Sequence, residues 1–186
     1  MIKFFFLISF CFTSNPIDNW LVDNKTIFHS KIKDISFRLN TESDFFHNPL
    51  DSSYLVTIVV DDKNRFRFNI GPRTIVSDGE NWKSYDERTG YILITKPDKK
   101  IEKSILFWTK YNTIKSLPFK LQADKSYAIK LPWIDNDVRV YFNSKGGIKL
   151  IKLFHNNSYS EISKINISTK NKLDLEIGNK NAQIFI

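Results

Sequence analysis

Residues 65–94 read RFRFNIGPRTIVSDGENWKSYDERTGYILI, and this stretch decides the fold. Phe66, Phe68 and Ile70 alternate with Arg65, Arg67 and Asn69. That two-residue period belongs to a strand with one apolar face and one wet face. Gly71-Pro72 breaks it, and residues 73–76 form a second strand running into Ser77-Asp78-Gly79. Asp-Gly between apolar runs signals a hairpin, because glycine tolerates the positive φ of a tight turn. Trp82 and Tyr85 fall on the return strand, Glu87-Arg88-Thr89-Gly90 turns again, and residues 91–94 open another strand. The pattern predicts an antiparallel meander in a mainly β domain.

Working outward, residues 54–60, YLVTIVV, are apolar almost throughout, which predicts a strand covered on both faces. Residues 31–40, KIKDISFRLN, alternate, with Lys33, Ile35, Phe37 and Leu39 on one side. Residues 41–53, with Asn48-Pro49, read as a loop. A short helix is predicted over 16–23, with Pro16 just inside its start. Downstream, Ile101, Ile105 and Trp108 recur at helical steps, with Asp98 placed to cap and Glu102 near the positive end. One amphipathic helix over 98–110 is therefore expected in the middle of a β protein, and its apolar face has to cover something. After Leu117-Pro118 the strands resume: residues 120–121, 127–131, 137–143 with Val138, Val140 and Phe142 inward, 148–154, and 159–168 with Ile162 and Ile165 or Ile167 inward. Residues 173–177 and 183–186 read as edge pieces.

Strands, a mid-chain helix and more strands fit an open, strongly curved antiparallel sheet covered by short helices. The aromatic strand, then IVSDG, then Trp82 and Tyr85-Asp86 resemble the LolA family of outer-membrane lipoprotein carriers. VRVYFNSKGGIKLIKLF and EISKINIS resemble the family's later strands, so the likeness spans most of residues 16–170. The resemblance implies that this sheet is an incomplete β-barrel, a half-barrel with a helical lid over an apolar cavity. It also implies a periplasmic chaperone that takes acylated lipoproteins from an inner-membrane releasing transporter to an outer-membrane acceptor. It makes Phe66 the family's functional phenylalanine. The family's lid-latching arginine falls four residues earlier, where this chain has Asp62. Lys63 or Arg65 is then expected to make the lid contact. Ser77, Asp78 and Gly79 are expected to hold the hairpin.

The 186 residues, poor in Gly and Pro, suffice for one domain with a sizeable core. Aromatics reach 15%, with 16 Phe, which suits β-strands and an apolar pocket alike. The net charge of +8 admits an anionic partner, but the 28 Lys and Arg are scattered at alternate strand positions. They read as a solvated face, and nucleic-acid binding is not expected. Met1-Ile2-Lys3, an apolar run over 4–12 and a polar turn-prone segment have the layout of a secretory signal peptide over 1–14. A retained amino-terminal anchor is the other reading. Residues 15–186 are then one exported domain without cysteine.

His29, His47 and His155 have no metal-ligand spacing, and no nucleophile elbow, phosphate loop or dinucleotide fingerprint occurs. No enzyme, metal or cofactor is expected, and a monomer is. A lipid carrier has to match ~0.8 kcal/mol per acyl methylene, or ~10 kcal/mol for a long chain, with a dry cavity. The inward positions Phe66, Phe68, Val56, Ile58, Val140, Phe142, Ile105 and Trp108 are the candidates to line or cover it. The other function class is a sensor or scaffold binding lipid or peptide on the same half-barrel.

Overall fold

The computed structural model describes residues 15–42, 52–131, 137–155, 158–177 and 183–185. The expected signal segment over 1–14 and most of the 41–53 loop lie outside these. Twelve strands form one sheet: β1 Ile32–Glu42, β2 Ser52–Asp61, β3 Phe66–Ile70, β4 Arg73–Ser77, β5 Trp82–Asp86, β6 Tyr91–Thr95, β7 Phe119–Leu121, β8 Tyr127–Lys130, β9 Asp137–Phe142, β10 Ile148–His155, β11 Ser158–Thr169 and β12 Gln183–Phe185. Their spatial order is β12-β6-β5-β4-β3-β2-β1-β11-β10-β9-β8-β7, so the two ends do not meet and the sheet stays open. All pairs are antiparallel except β12 on β6. β1 sits in the middle and pairs with β2 on one side and β11 on the other.

The predicted meander is present. Asp78 Oδ1 accepts from the backbone N–H of Glu80 and Asn81 at 2.9 and 2.8 Å, and Gly79 takes a φ of +100°. The carboxylate thus closes the hairpin by side chain, and glycine supplies the left-handed backbone. At the β2–β3 turn Asp61, 6% exposed, plays a similar part. It accepts from the N–H of Lys63 and Arg65 and from Arg65 Nε at 2.7 Å.

α1 Pro16–Asp23 starts where expected, with Asn15 Oδ1 capping Ile17 N at 3.2 Å and Pro16 in the first turn. Ile17, Trp20 and Leu21, at helical offsets, are its buried face. α2 Lys25–Phe28 follows at once. The single helix expected over 98–110 is instead α3 Lys99–Leu106, a 3₁₀ turn Phe107–Thr109, and α4 Tyr111–Lys115. Asp98 caps α3 as predicted, but Lys110 is extended at φ −112°, ψ 103° and breaks the run. The inward stripe shifts as a result: Ile101 is 49% exposed, while Leu106 and Phe107 are buried.

Topology explains where these helices lie. β6 and β7 are joined by residues 96–118, yet they stand ten strand positions apart. On a flat sheet that would be roughly 48 Å. A largely helical linker rises only ~1.5 Å per residue, so it spans the opening of a curved sheet rather than its contour. The helices come to rest over the concave face. Below α1, α2 and α4 lies the largest core, with Val138, Val140, Ile151 and Ile162 beneath Leu21, Phe28 and Ile114. A second layer under α3 holds Val60, Phe66, Trp82 and Leu106. Ile35, Val56 and Ile58 form a third between them.

The opposite, convex face is crossed by the chain after β11. Residues 173–177, read from the sequence as an edge piece, form no strand. Arg67, on the outer face of β3, donates to the Glu176 carbonyl at 2.6 Å and pairs with Asp174 at 3.7 Å. These residues therefore run as a strap over the row Val59, Arg67, Val76, which the sheet register places side by side. Leu173, Leu175 and Ile177 are half-buried and Asp174 and Glu176 exposed. Val59 and Val76, on either side of Arg67 in this row, are 6% and 2% exposed, as cover by the strap would leave them. Deleting residues 171–186 re-exposes both valines and should cost about 2–4 kcal/mol of stability. A urea midpoint equal to that of the full chain would show the strap to be passive.

Candidate lipid cavity

The strands that line the cavity owe their shape to two β-bulges. On β11, Ile162 and Ile165 are three apart and in a regular strand would face opposite ways. The pairing with β1 shifts register between Ser36 and Arg38, and Lys164 takes a φ of +51°. The bulge absorbs one residue, so Ile162, Ile165 and Ile167 all face the concave side. The alternative left open by the alternation, Ile165 or Ile167, is thus resolved in favour of both. On β10 a second shift between Ile148 and Leu150 does the same for Ile148 and Ile151. Adjacent bulges bend and twist their strands locally. The curved floor and the straight helices above it then fail to meet.

The space left over is a cleft whose wall exposes only apolar surface. Ile35 and Phe37 of β1, the five isoleucines of β10 and β11, and Trp20 and Trp108 from the lid surround it. Its water-sized core is about 20 Å³, and its whole empty space, mouth included, about 350 Å³. The core alone holds little more than one water.

The lid is knitted together by ring contacts. Trp20 meets Phe28 edge-on at 5.5 Å, Phe28 meets Tyr111 at 6.0 Å, and Phe107 meets Trp108 at 4.5 Å. α1, α2 and α4 thus form one aromatic cluster. α3 stands apart from it, and Leu106 is its one buried residue. At the start of β1 a cation closes the concave face: Lys33, 9% exposed, donates Nζ to the Ser30 carbonyl at 3.1 Å. Burial holds its pKa below the usual lysine value, against the pull of Asp62 and Asp61.

Of the eight expected lining residues, Trp108 borders the cleft. Val56, Ile58, Phe68 and Ile105 pack in the adjoining layer, and Phe66 lies deeper under α3. Val140 is fully buried in the largest core, with Phe142 packed against it. The cleft instead uses Ile35, Phe37 and the β10–β11 isoleucines. Their inward side was legible from alternation, but the bulges that open space beside them carry no sequence signal. Arg65 bonds Asp61 of its own turn, and Lys63 donates its backbone N–H to the same carboxylate. Among the described residues no group of three or more His, Cys, Asp or Glu gathers as a metal site, and no helix is long and apolar enough to cross a membrane.

No protein-family model and no curated protein sequence matches the chain. Solved structures do. An uncharacterized conserved protein from Thermus thermophilus matches with a TM-score of 0.52 at 9% identity, over 90% of this chain and 98% of that one. The chain shares its fold. LprF from Mycobacterium bovis matches at 0.45 and 9% identity, over 88% and 97% of the two chains. The LolA superfamily protein NE2245 from Nitrosomonas europaea matches at 0.39 and 8% identity, over 86% and 96%. These two TM-scores are below one half, so both are likenesses only. The architecture is the one the LolA resemblance implied: an unclosed, curved antiparallel sheet with short helices over one face.

Proposed function

We propose that this chain is an exported carrier that holds the acyl chains of lipoproteins between its curved sheet and its helical lid. The carrying observation is the cleft itself. Nine aromatic and branched side chains meet there without filling the space, and the surface they turn toward it is wholly apolar. Interiors normally pack to crystal density, and a dry apolar void is costly. It is tolerable where hydrocarbon fills it during the working cycle. Each buried methylene then contributes ~0.8 kcal/mol.

The same geometry provides release. The core of the cleft is too small for a chain while the lid is down, so binding energy has to lift the lid, and the returning lid opposes retention. In this reading the protein works in the periplasm as a monomer. It accepts acylated lipoprotein from an inner-membrane releasing transporter and yields it to an outer-membrane acceptor.

Delipidated protein should bind a fluorescent palmitoyl probe saturably, one per chain. An acylated peptide should displace the probe, and the same peptide without its acyl group should not. Addition of the protein should speed transfer of that acylated peptide between two vesicle populations. Absence of saturable probe binding would overturn the proposal.

A further inference from the structure

Trp82 opens β5 on the concave face beneath α3 and is 7% exposed. Around it lie Val60, Phe66 and Leu106, with Phe68, Ile75 and Ile105 beside them. Its ring meets Phe66 edge-on at 6.0 Å. These neighbours are all hydrocarbon. The buried polar side chain beside them is Ser77, paired with Trp82 across β4 and β5. Its hydroxyl accepts from the Gly79 N–H at 3.3 Å and leaves the indole unbonded. The indole Nε1 is the sole buried side-chain nitrogen or oxygen among the described residues that has no hydrogen-bond partner. A buried indole N–H ordinarily finds an acceptor, and an orphaned donor weakens the fold. A phenylalanine would fill this layer without that penalty. The donor calls for an acceptor that arrives from outside.

The path to it is apolar throughout. Phe68 and Ile105 belong both to the layer around Trp82 and to the layer of Ile35, Val56 and Ile58. Trp108, Phe37 and Ile167 link that second layer to the cleft. The concave face therefore carries one continuous row of packed apolar side chains from the cleft to the unpaired Trp82 donor, which a chain can follow once α3 lifts. An acyl chain has the matching polarity: a long apolar body and one acceptor oxygen at its carbonyl. The cover over the donor is light. Leu106 is the one buried residue of α3, and Ile101 is 49% exposed.

We infer that Trp82 is a ligand-binding residue whose Nε1–H donates to the carbonyl oxygen of an acyl group, with the hydrocarbon running toward the Ile35–Trp108 cleft. This deepens the carrier reading and rests on it. The carbonyl comes from an ester-linked acyl glycerol or from an amide-linked N-acyl peptide. An alkyl chain without a carbonyl binds through the apolar row alone.

The test is displacement of the fluorescent palmitoyl probe by three competitors of equal chain length: a monoacyl glycerol ester, an N-acyl peptide and a glyceryl alkyl ether. The wild-type chain should prefer at least one carbonyl competitor to the ether by about five- to tenfold. The one preferred names the source. Trp82→Phe should keep the ether affinity within about twofold and lose the preference. Its melting temperature should equal or exceed that of the wild type, because an unsatisfied donor is gone. Trp108→Phe, which leaves the donor in place, should retain the preference. An equal carbonyl preference in Trp82→Phe, or none in the wild type, overturns the inference while leaving the carrier reading standing. Failure of all three competitors, ether included, overturns both. If Trp82→Phe does not fold, the wild-type ester, amide and ether series still decides.

Discussion

Ile165→Trp is expected to abolish binding of the palmitoyl probe while the chain remains folded. Ile165 is half-buried on β11 and faces the cleft just beyond the bulge at Lys164. The empty space there, mouth included, is about 350 Å³. The enclosed core is only about 20 Å³, so the indole fills it and extends into the mouth, at an overpacking cost of about 1–3 kcal/mol that leaves the chain folded. What it removes is room. An acyl chain excluded from even half its length loses ~5 kcal/mol of transfer free energy, which is more than a thousandfold in affinity. Probe titration and thermal unfolding measured on the same sample separate the two effects. Full-affinity binding by a folded Ile165→Trp would place the acyl site elsewhere than the cleft.

Phe66→Ala should act on stability first. Phe66 is 0% exposed, packed edge-on against Trp82 and covered by Leu106. Truncation leaves a cavity that the neighbouring strands cannot close, at a cost of about 3–5 kcal/mol. Against a typical total of about 5–15 kcal/mol, that brings the chain near its unfolding limit. The urea midpoint should fall steeply with little change in slope. The LolA resemblance implies a functional role for this residue, and we propose that it acts through its packing. Phe66 supports both Trp82 and the one buried residue of α3. Phe66→Leu keeps most of the volume and should retain most of the stability, so any change in probe affinity there reports on the lid. A loss below about 1 kcal/mol for Phe66→Ala would mean that this layer is already loose.

The strands were largely legible because each carries its own alternation. The period-two pattern of Phe66, Phe68 and Ile70 and the Asp78-Gly79 turn are local facts, and the backbone follows them. α1 was legible for the same reason: Pro16 and the apolar offsets of Ile17, Trp20 and Leu21 lie within two turns. The helical segment after β6 was legible in existence but not in shape, because the break at Lys110 lacks a proline or glycine to announce it. Residues 173–177 misled for a related reason. A short apolar segment signals that something covers it, not whether a paired strand or a sheet face does so. Here the cover is the convex face, held by Arg67 more than a hundred residues away in sequence.

The site was less legible than the fold. Local pattern told which side chains turn inward, including Ile35, Phe37 and Ile162. It did not tell which inward residues touch one another and which border empty space. That depends on the pairing of β1 with β11, on two bulges, and on how far a helical linker can reach between opposite sheet edges. By itself the sequence determined an open antiparallel sheet with a covered face, because periodicity and turn chemistry act between near neighbours. Only the tertiary structure decided that an apolar cleft lies under Trp20 and Trp108, and that Trp82 keeps a donor without an acceptor. Voids and orphaned polar groups are properties of how distant segments fail to meet, and no short window of residues contains them.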